Sequence, residues 1–195
     1  YKGGLGMPDI QVVKRDGTKE PFDANKINLA LVRASEGLPD QIAKVVQVAS
    51  EVQLTLFDGI TTEQLDEAVI QATLQNVKDD PDYDKIAARL LLKTIYKNVL
   101  GDYETFEELK KLHATRFPKY IKEATELGLL DSRMSDSKLF DLKKLAAALD
   151  PEKDDLSKYL GVITNKNRYA LKKEGKPIEV PQFTNMRIVM GLSYN

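Results

Sequence analysis

A chain of 195 residues, 42% hydrophobic and 30% charged with a net charge of −1, has room for one or two globular units and lacks the basic surplus of a general nucleic-acid binder. It contains no cysteine and one histidine, His113, which excludes disulfides, thiolate or multi-histidine metal sites and thiol nucleophiles. No apolar run approaches the roughly 20 residues that span a bilayer and no signal peptide is visible, so a cytoplasmic protein that does not enter membranes is expected.

Tyr1 to Gly6 precede Met7, and residues 1–9 read as a tag or a disordered segment outside the fold. Gln11 to Arg15 forms a strand candidate, Asp16-Gly17 a hairpin turn, and Thr18 to Phe22 the return strand. Asp23 stands where a helix N-cap belongs, and Ile27, Ala30, Leu31 and Ala34 follow on one helical face. Gly37 ends that helix and Pro39 starts a second, with Ile42, Val45, Val46, Ala49, Val52 and Leu56 as its apolar stripe. Thr61 and Gln64 make a capping box for a third helix, which turns Leu65, Val69, Ala72 and Thr73 inward. After the break at Asp79-Asp80-Pro81-Asp82, a fourth helix is predicted from about Tyr83 to Leu100, ended by Gly101. Residues 10–101 therefore predict a small β-hairpin followed by a four-helix array.

The second half also starts helical. Phe106 to His113 and Pro118 to Leu127 read as two helices, the latter closed by Gly128. Ser137 to Leu149 reads as another, with Leu139, Leu142, Leu145, Ala146 and Leu149 on its face. Tyr159 to Gly161 reads as a turn. Arg168 to Leu171 and Ile178 to Val180, around Glu174-Gly175-Lys176, suggest a second hairpin. A last helix is predicted from Pro181; its Met186, Ile188, Val189, Met190 and Leu192 are too apolar to end a free chain in water, which predicts a partner or a continuation.

The chemistry-bearing residues concentrate at the first hairpin. Lys14 and Arg15 end one strand, and Lys26 lies in the first turn of the next helix, whose N–H groups themselves favour anions. Together they make a cradle for a polyphosphate. Glu20 is placed to accept from an adenine amino group or to pair with Lys14, and Val12, Phe22 and Ile27 offer an apolar slot for a base. The same charges would also serve simply to protect a hairpin edge from pairing. Thr62 is as ordinary in a first helical turn as it is apt for a phosphate or ribose, and Lys97 suits a helix C-terminus in its own right.

Val12-Val13-Lys14-Arg15-Asp16-Gly17, Glu20, Phe22-Asp23, Lys26-Ile27, Asp58-Gly59-Ile60-Thr61-Thr62, Asp82-Tyr83 and Ala87-Ala88-Arg89-Leu90 resemble the signature of the ATP-cone domain. That family's fold is a small β-sheet capping a four-helix bundle. Downstream, Tyr120, Gly128, the stretch Asp154 to Gly161, Asn167-Arg168-Tyr169, Glu179 to Phe183 and Met186-Arg187 resemble the N-terminal helical region of ribonucleotide reductase large subunits. The resemblance implies a cone over 10–101 and a helical region over 102–195, ahead of a catalytic barrel that this chain does not include. The fold class expected is mainly α with small β-hairpins.

What the resemblance implies for residues is a nucleotide site and no catalytic or metal-ligating group. Lys14, Arg15, Lys26 and Lys97 match phosphate contacts. Glu20, Phe22, Asp23, Asn25 and Lys26 fall in the segment around base and ribose, with Val12 and Ile27 beside it, and Thr62 matches a threonine at the start of the third helix. Asp66 stands where some members carry a histidine; it suits a ribose hydroxyl, a metal-bridged phosphate or plain solvent. The implied effectors are ATP or dATP, with Mg2+ to balance the triphosphate charge. The implied partners are the remainder of the reductase large subunit, a radical-generating subunit and further copies of the cone. The alternative is a degenerate cone that docks a subunit without nucleotide. A cone-bearing gene regulator would need a cysteine-rich zinc ribbon, for which the chain has no cysteine.

Overall fold

The structure, a computed structural model, describes residues 9–194, so the expectation for residues 1–8 lies outside the described residues. The chain divides into two compact units, one up to Leu90 and one from Leu91 onward.

The first unit opens with β1 (Gln11–Val13) and β2 (Lys19–Pro21), antiparallel with Val12 opposite Glu20. Their connection is a tight loop in which Gly17 N–H donates to the Lys14 carbonyl and Lys14 N–H to Thr18. Gly17 has φ +82°, which a residue with a Cβ adopts only under strain. Asp16 closes the loop by accepting from the Thr18 N–H and hydroxyl. A third strand, β3 (Ile60–Thr61), pairs parallel with β1 and completes the order β2-β1-β3; periodicity did not reveal it because it is two residues long.

Helix α1 (Ala24–Ala34) begins at the expected cap, Asp23, whose carboxylate accepts from the Asn25 N–H, and buries Ile27, Leu31 and Ala34. Its C-terminal carbonyls of Ala34 and Glu36 accept from the Arg89 guanidinium. Helix α2 (Gln41–Gln53) starts later than Pro39. It is also rotated from the predicted stripe: Val45, Val48 and Val52 are buried with Lys44, while Ile42 and Val46 are exposed. Lys44 is drawn inward by Asp80 at 2.9 Å and Asp82 at 3.6 Å and donates to the Pro39 carbonyl, so its aliphatic stem, not Ile42, fills the interior. Helix α3 (Thr62–Gln75) carries the predicted capping box: Gln64 N–H donates to Thr61 Oγ1, and Thr61 N–H to Gln64 Oε1. Helix α4 (Asp82–Leu100), whose residues up to Leu90 belong to this unit and the rest to the second, ends at Gly101, as expected. The core of this unit gathers Val12 and Ile60 from the sheet with Leu31, Val48, Val52, Ile70 and Ile86 from the helices. Each such side chain contributes about 1.5–3 kcal/mol by leaving water.

In the second unit the two helices predicted around Pro118 are one, α5 (Phe106–Glu126). An internal proline costs about 3 kcal/mol through a lost hydrogen bond and a clash with the preceding turn. Burial of Phe117, Tyr120 and Ile121 across the break offsets it. The predicted helix from Ser137 shrinks to α6 (Leu142–Ala147), because Asp141 caps the N–H groups of Lys143 and Lys144 and leaves Leu139 exposed. The predicted turn at Tyr159 is instead helix α7 (Tyr159–Thr164), continued by a π-helical turn over Asn165–Tyr169. The second hairpin is tighter than predicted, with β4 (Lys172–Lys173) and β5 (Lys176–Pro177) joined at Glu174 and Gly175, both at positive φ. Helix α8 (Pro181–Leu192) starts at the predicted proline; Met190 is buried, whereas Ile188, Val189 and Leu192 are exposed.

Polar groups are threaded through this second core. Glu179, whose side chain has no exposed surface, accepts from the Tyr120 hydroxyl, from Thr184 Oγ1 at 2.6 Å and from Arg187 Nε at 2.6 Å. Asp154 accepts from the Tyr96 hydroxyl and from Gln182 Nε2. His113 donates from Nδ1 to the Leu109 carbonyl, and its ring meets Tyr96 and Phe183 edge-on.

Candidate functional site

The hairpin register decides which of the candidate side chains meet. With Val12 opposite Glu20, the strand β2 carries Glu20 back beside Lys14, and α1 brings Lys26 to its other side. Lys14 Nζ lies 2.9 Å from Glu20 Oε2, and Lys26 Nζ lies 2.9 Å from Glu20 Oε1. One carboxylate is thus shared by two ammonium groups, each on a partly exposed side chain. The two lysine hydrogen bonds, Lys14's first, hold the Glu20 carboxyl below its usual range. The bond to Glu20 in turn raises Lys14. Lys14, Glu20 and Lys26 form a charged cluster that the structure assembles from the sequence candidates.

The other candidates surround it unequally. Thr62 Oγ1 is 3.4 Å from the Val13 carbonyl, which fixes the start of α3 to the end of β1. Arg15 reaches toward Glu63 at 3.9 Å, a neighbour that sequence reasoning missed. Asp58, also missed as a contributor, accepts from the Gln11 N–H and ties the β3 loop to β1; its place in Asp58-Gly59 was the available signal. Asn25 is exposed in the first turn of α1 and Asp66 is half-buried one turn beyond Thr62. Lys97 belongs to the second unit, where it stands 3.5 Å from Asp102.

Two expectations change. The N-terminus of α1 was read as open to an anion, but the Asp23 carboxylate occupies its Asn25 N–H. The apolar slot was read as Val12, Phe22 and Ile27; Val12 and Ile27 are 5% and 7% exposed and belong to the core, which leaves Phe22, half-buried, as the accessible apolar surface of the three. Among the described residues, no group of three or more His, Cys, Asp or Glu side chains is arranged to hold a metal ion, and no helix is long and apolar enough to cross a membrane.

Comparison with known proteins places this geometry. Residues 10–98 match the ATP cone domain. Over 186 residues the chain is 31% identical to the ribonucleoside-diphosphate reductase subunit alpha of Chlamydia trachomatis, covering 95% of this chain and 17% of that protein. The corresponding subunit alpha of Helicobacter pylori is 32% identical, with 95% of this chain and 22% of that protein covered. The large subunit of Arabidopsis thaliana is 30% identical, with 94% and 22% covered. The chain spans about a fifth of the length of these relatives. Residues 10–98 are an ATP cone, and most of the chain is similar to a stretch of ribonucleotide reductase large subunits.

Proposed function

We propose that this chain is the allosteric part of a ribonucleotide reductase large subunit, and that its first hairpin binds ATP or dATP and so sets the activity and oligomeric state of the whole enzyme. The observation that carries the reading is the Lys14–Glu20–Lys26 cluster, two cations poised over one side of a hairpin within the ATP cone. Lys14, Arg15 and Lys26 take the phosphates. Glu20 takes the adenine amino group, and Phe22, Asn25 and Thr62 flank base and sugar. Mg2+ rides on the triphosphate, since the cone has no metal-ligand cluster of its own among the described residues. The cone extends over 10–101, and 102–195 form a helical region that joins it to the remainder of the large subunit.

The action is conformational. ATP and dATP differ by one hydroxyl, so they shift an equilibrium only if the sugar contacts differ between two states. A coupling of about 1–3 kcal/mol suffices to switch between active and inhibited assemblies of cones and radical-generating subunits. The test is titration calorimetry of ATP and dATP with magnesium, on this chain and on Lys14→Ala. Micromolar binding, weakened about tenfold by loss of one charge-assisted phosphate contact, is expected. No heat from either nucleotide in a folded sample refutes the reading and leaves a subunit-docking cone.

A further inference from the structure

The carboxylate at the centre of the cluster competes with the ligand that the two lysines are proposed to hold. Glu20 has two oxygens, and each receives one ammonium group at 2.9 Å. A phosphate that displaces Glu20 from Lys14 and Lys26 draws both ammonium groups toward itself and leaves the carboxylate's negative charge beside it. An exchange of this kind is easy only if something else satisfies the carboxylate. A carboxylate is purely an acceptor, so the replacement must be a donor. The exocyclic amino group of adenine is one. The 6-oxo group of a hypoxanthine base is an acceptor and would face Glu20 with like polarity.

We propose that Glu20 is a specificity-determining latch that makes phosphate binding conditional on the base: it retains Lys14 and Lys26 until a base amino group takes their place. Polyphosphate without a base, or with a 6-oxo base, must then bind against the latch. This rests on the nucleotide reading above and adds to it a reason for the lysines to be paired as they are. The position suits such a device. The two lysine side chains are 48% and 63% exposed and that of Glu20 is 30% exposed, so the pairs are solvent-screened and exchangeable.

The experiment compares three probes, ATP, ITP and inorganic tripolyphosphate, each with magnesium, on the chain and on Glu20→Gln. The amide offers one acceptor and one donor and has no charge with which to hold the lysines. The wild type is expected to bind ATP most tightly. In Glu20→Gln, tripolyphosphate and ITP should bind about three- to tenfold more tightly than to wild type, the range set by two exposed ion pairs, and the preference for ATP over ITP should shrink. Glu20→Thr, which suits a strand, gives the same reading if the glutamine variant does not fold. Tripolyphosphate affinity that stays the same or falls, with ATP still bound by wild type, overturns the latch and leaves the nucleotide site standing. A wild type that binds no ATP overturns both.

Discussion

Replacing Arg187 by methionine tests the polar core of the second unit most directly. The Glu179 side chain is wholly enclosed, and the Arg187 side chain, 16% exposed, grips it with Nε at 2.6 Å and a terminal nitrogen at 3.2 Å. Removing one member of a buried ion pair costs about 3–5 kcal/mol, because the charge left behind keeps its desolvation penalty. Here the Tyr120 and Thr184 hydroxyls still donate to the carboxylate, so Arg187→Met is expected near the lower end, about 3 kcal/mol. Glu179→Gln should cost less, on the order of 1–2 kcal/mol, since its amide oxygen still accepts from one hydroxyl, the other hydroxyl can turn to accept from the amide NH2, and the arginine retains a path to water. The double variant should cost less than the sum of the two. Urea unfolding at neutral pH followed by tyrosine fluorescence measures all three, there being no tryptophan to interfere. If Arg187→Met costs under about 1 kcal/mol, or less than Glu179→Gln, the pair is not held as a desolvated charge pair and the reasoning fails.

Two further outcomes follow from the same physics. Burial pushes the Asp154 carboxyl above its ordinary range, against hydrogen bonds from Tyr96 and Gln182 that pull it down. A carboxyl whose pKa is higher folded than unfolded adds stability fully below its unfolded pKa and loses it as pH rises through the folded one. Asp154→Asn should therefore flatten the rise in wild-type stability toward acid and be at least as stable as wild type at pH 7; unfolding curves at pH 4 and pH 7 decide, and a variant clearly weaker at pH 7 contradicts the dominance of desolvation. Thr61→Ala removes one side of the capping box at α3 and should cost about 1 kcal/mol. Hydrogen exchange in the first turn of α3 should speed up in that variant, and an unchanged rate would mean that pairing of β3 alone fixes the helix start.

What was legible in the sequence was local. Asp16-Gly17 fixed the hairpin, and with it the opposition of Val12 and Glu20 that brings Lys14 to the carboxylate. Asp23, Thr61 and Gly101 marked helix ends because capping needs only neighbours in sequence. What failed depended on distant partners. Helix α2 has apolar residues at two phases, and Asp80 and Asp82, far along the chain, choose between them by capturing Lys44. Pro118 was read as a boundary because the aromatic packing that carries α5 through it involves Phe183. At the site, Lys14, Glu20 and Lys26 were recognisable as chemistry, whereas the Arg15–Glu63 approach requires two elements to meet and leaves no local trace. Lys97 was picked out by resemblance, since a lysine late in a helix is equally at home there without a ligand.

His113 gives the molecule a built-in spectroscopic label. It is the sole histidine of the chain, 1% exposed, and burial holds its imidazole below the ordinary range, so it stays neutral in the native state at physiological pH. The rings of Tyr96 and Phe183, with centroids 5.4 Å and 5.9 Å away, displace its proton resonances by their ring currents. One imidazole signal, needing no assignment strategy, therefore reports whether α4, α5 and α8 remain packed around it. On acidification, opening of the core favours charging of the ring, since burial is what holds its pKa down.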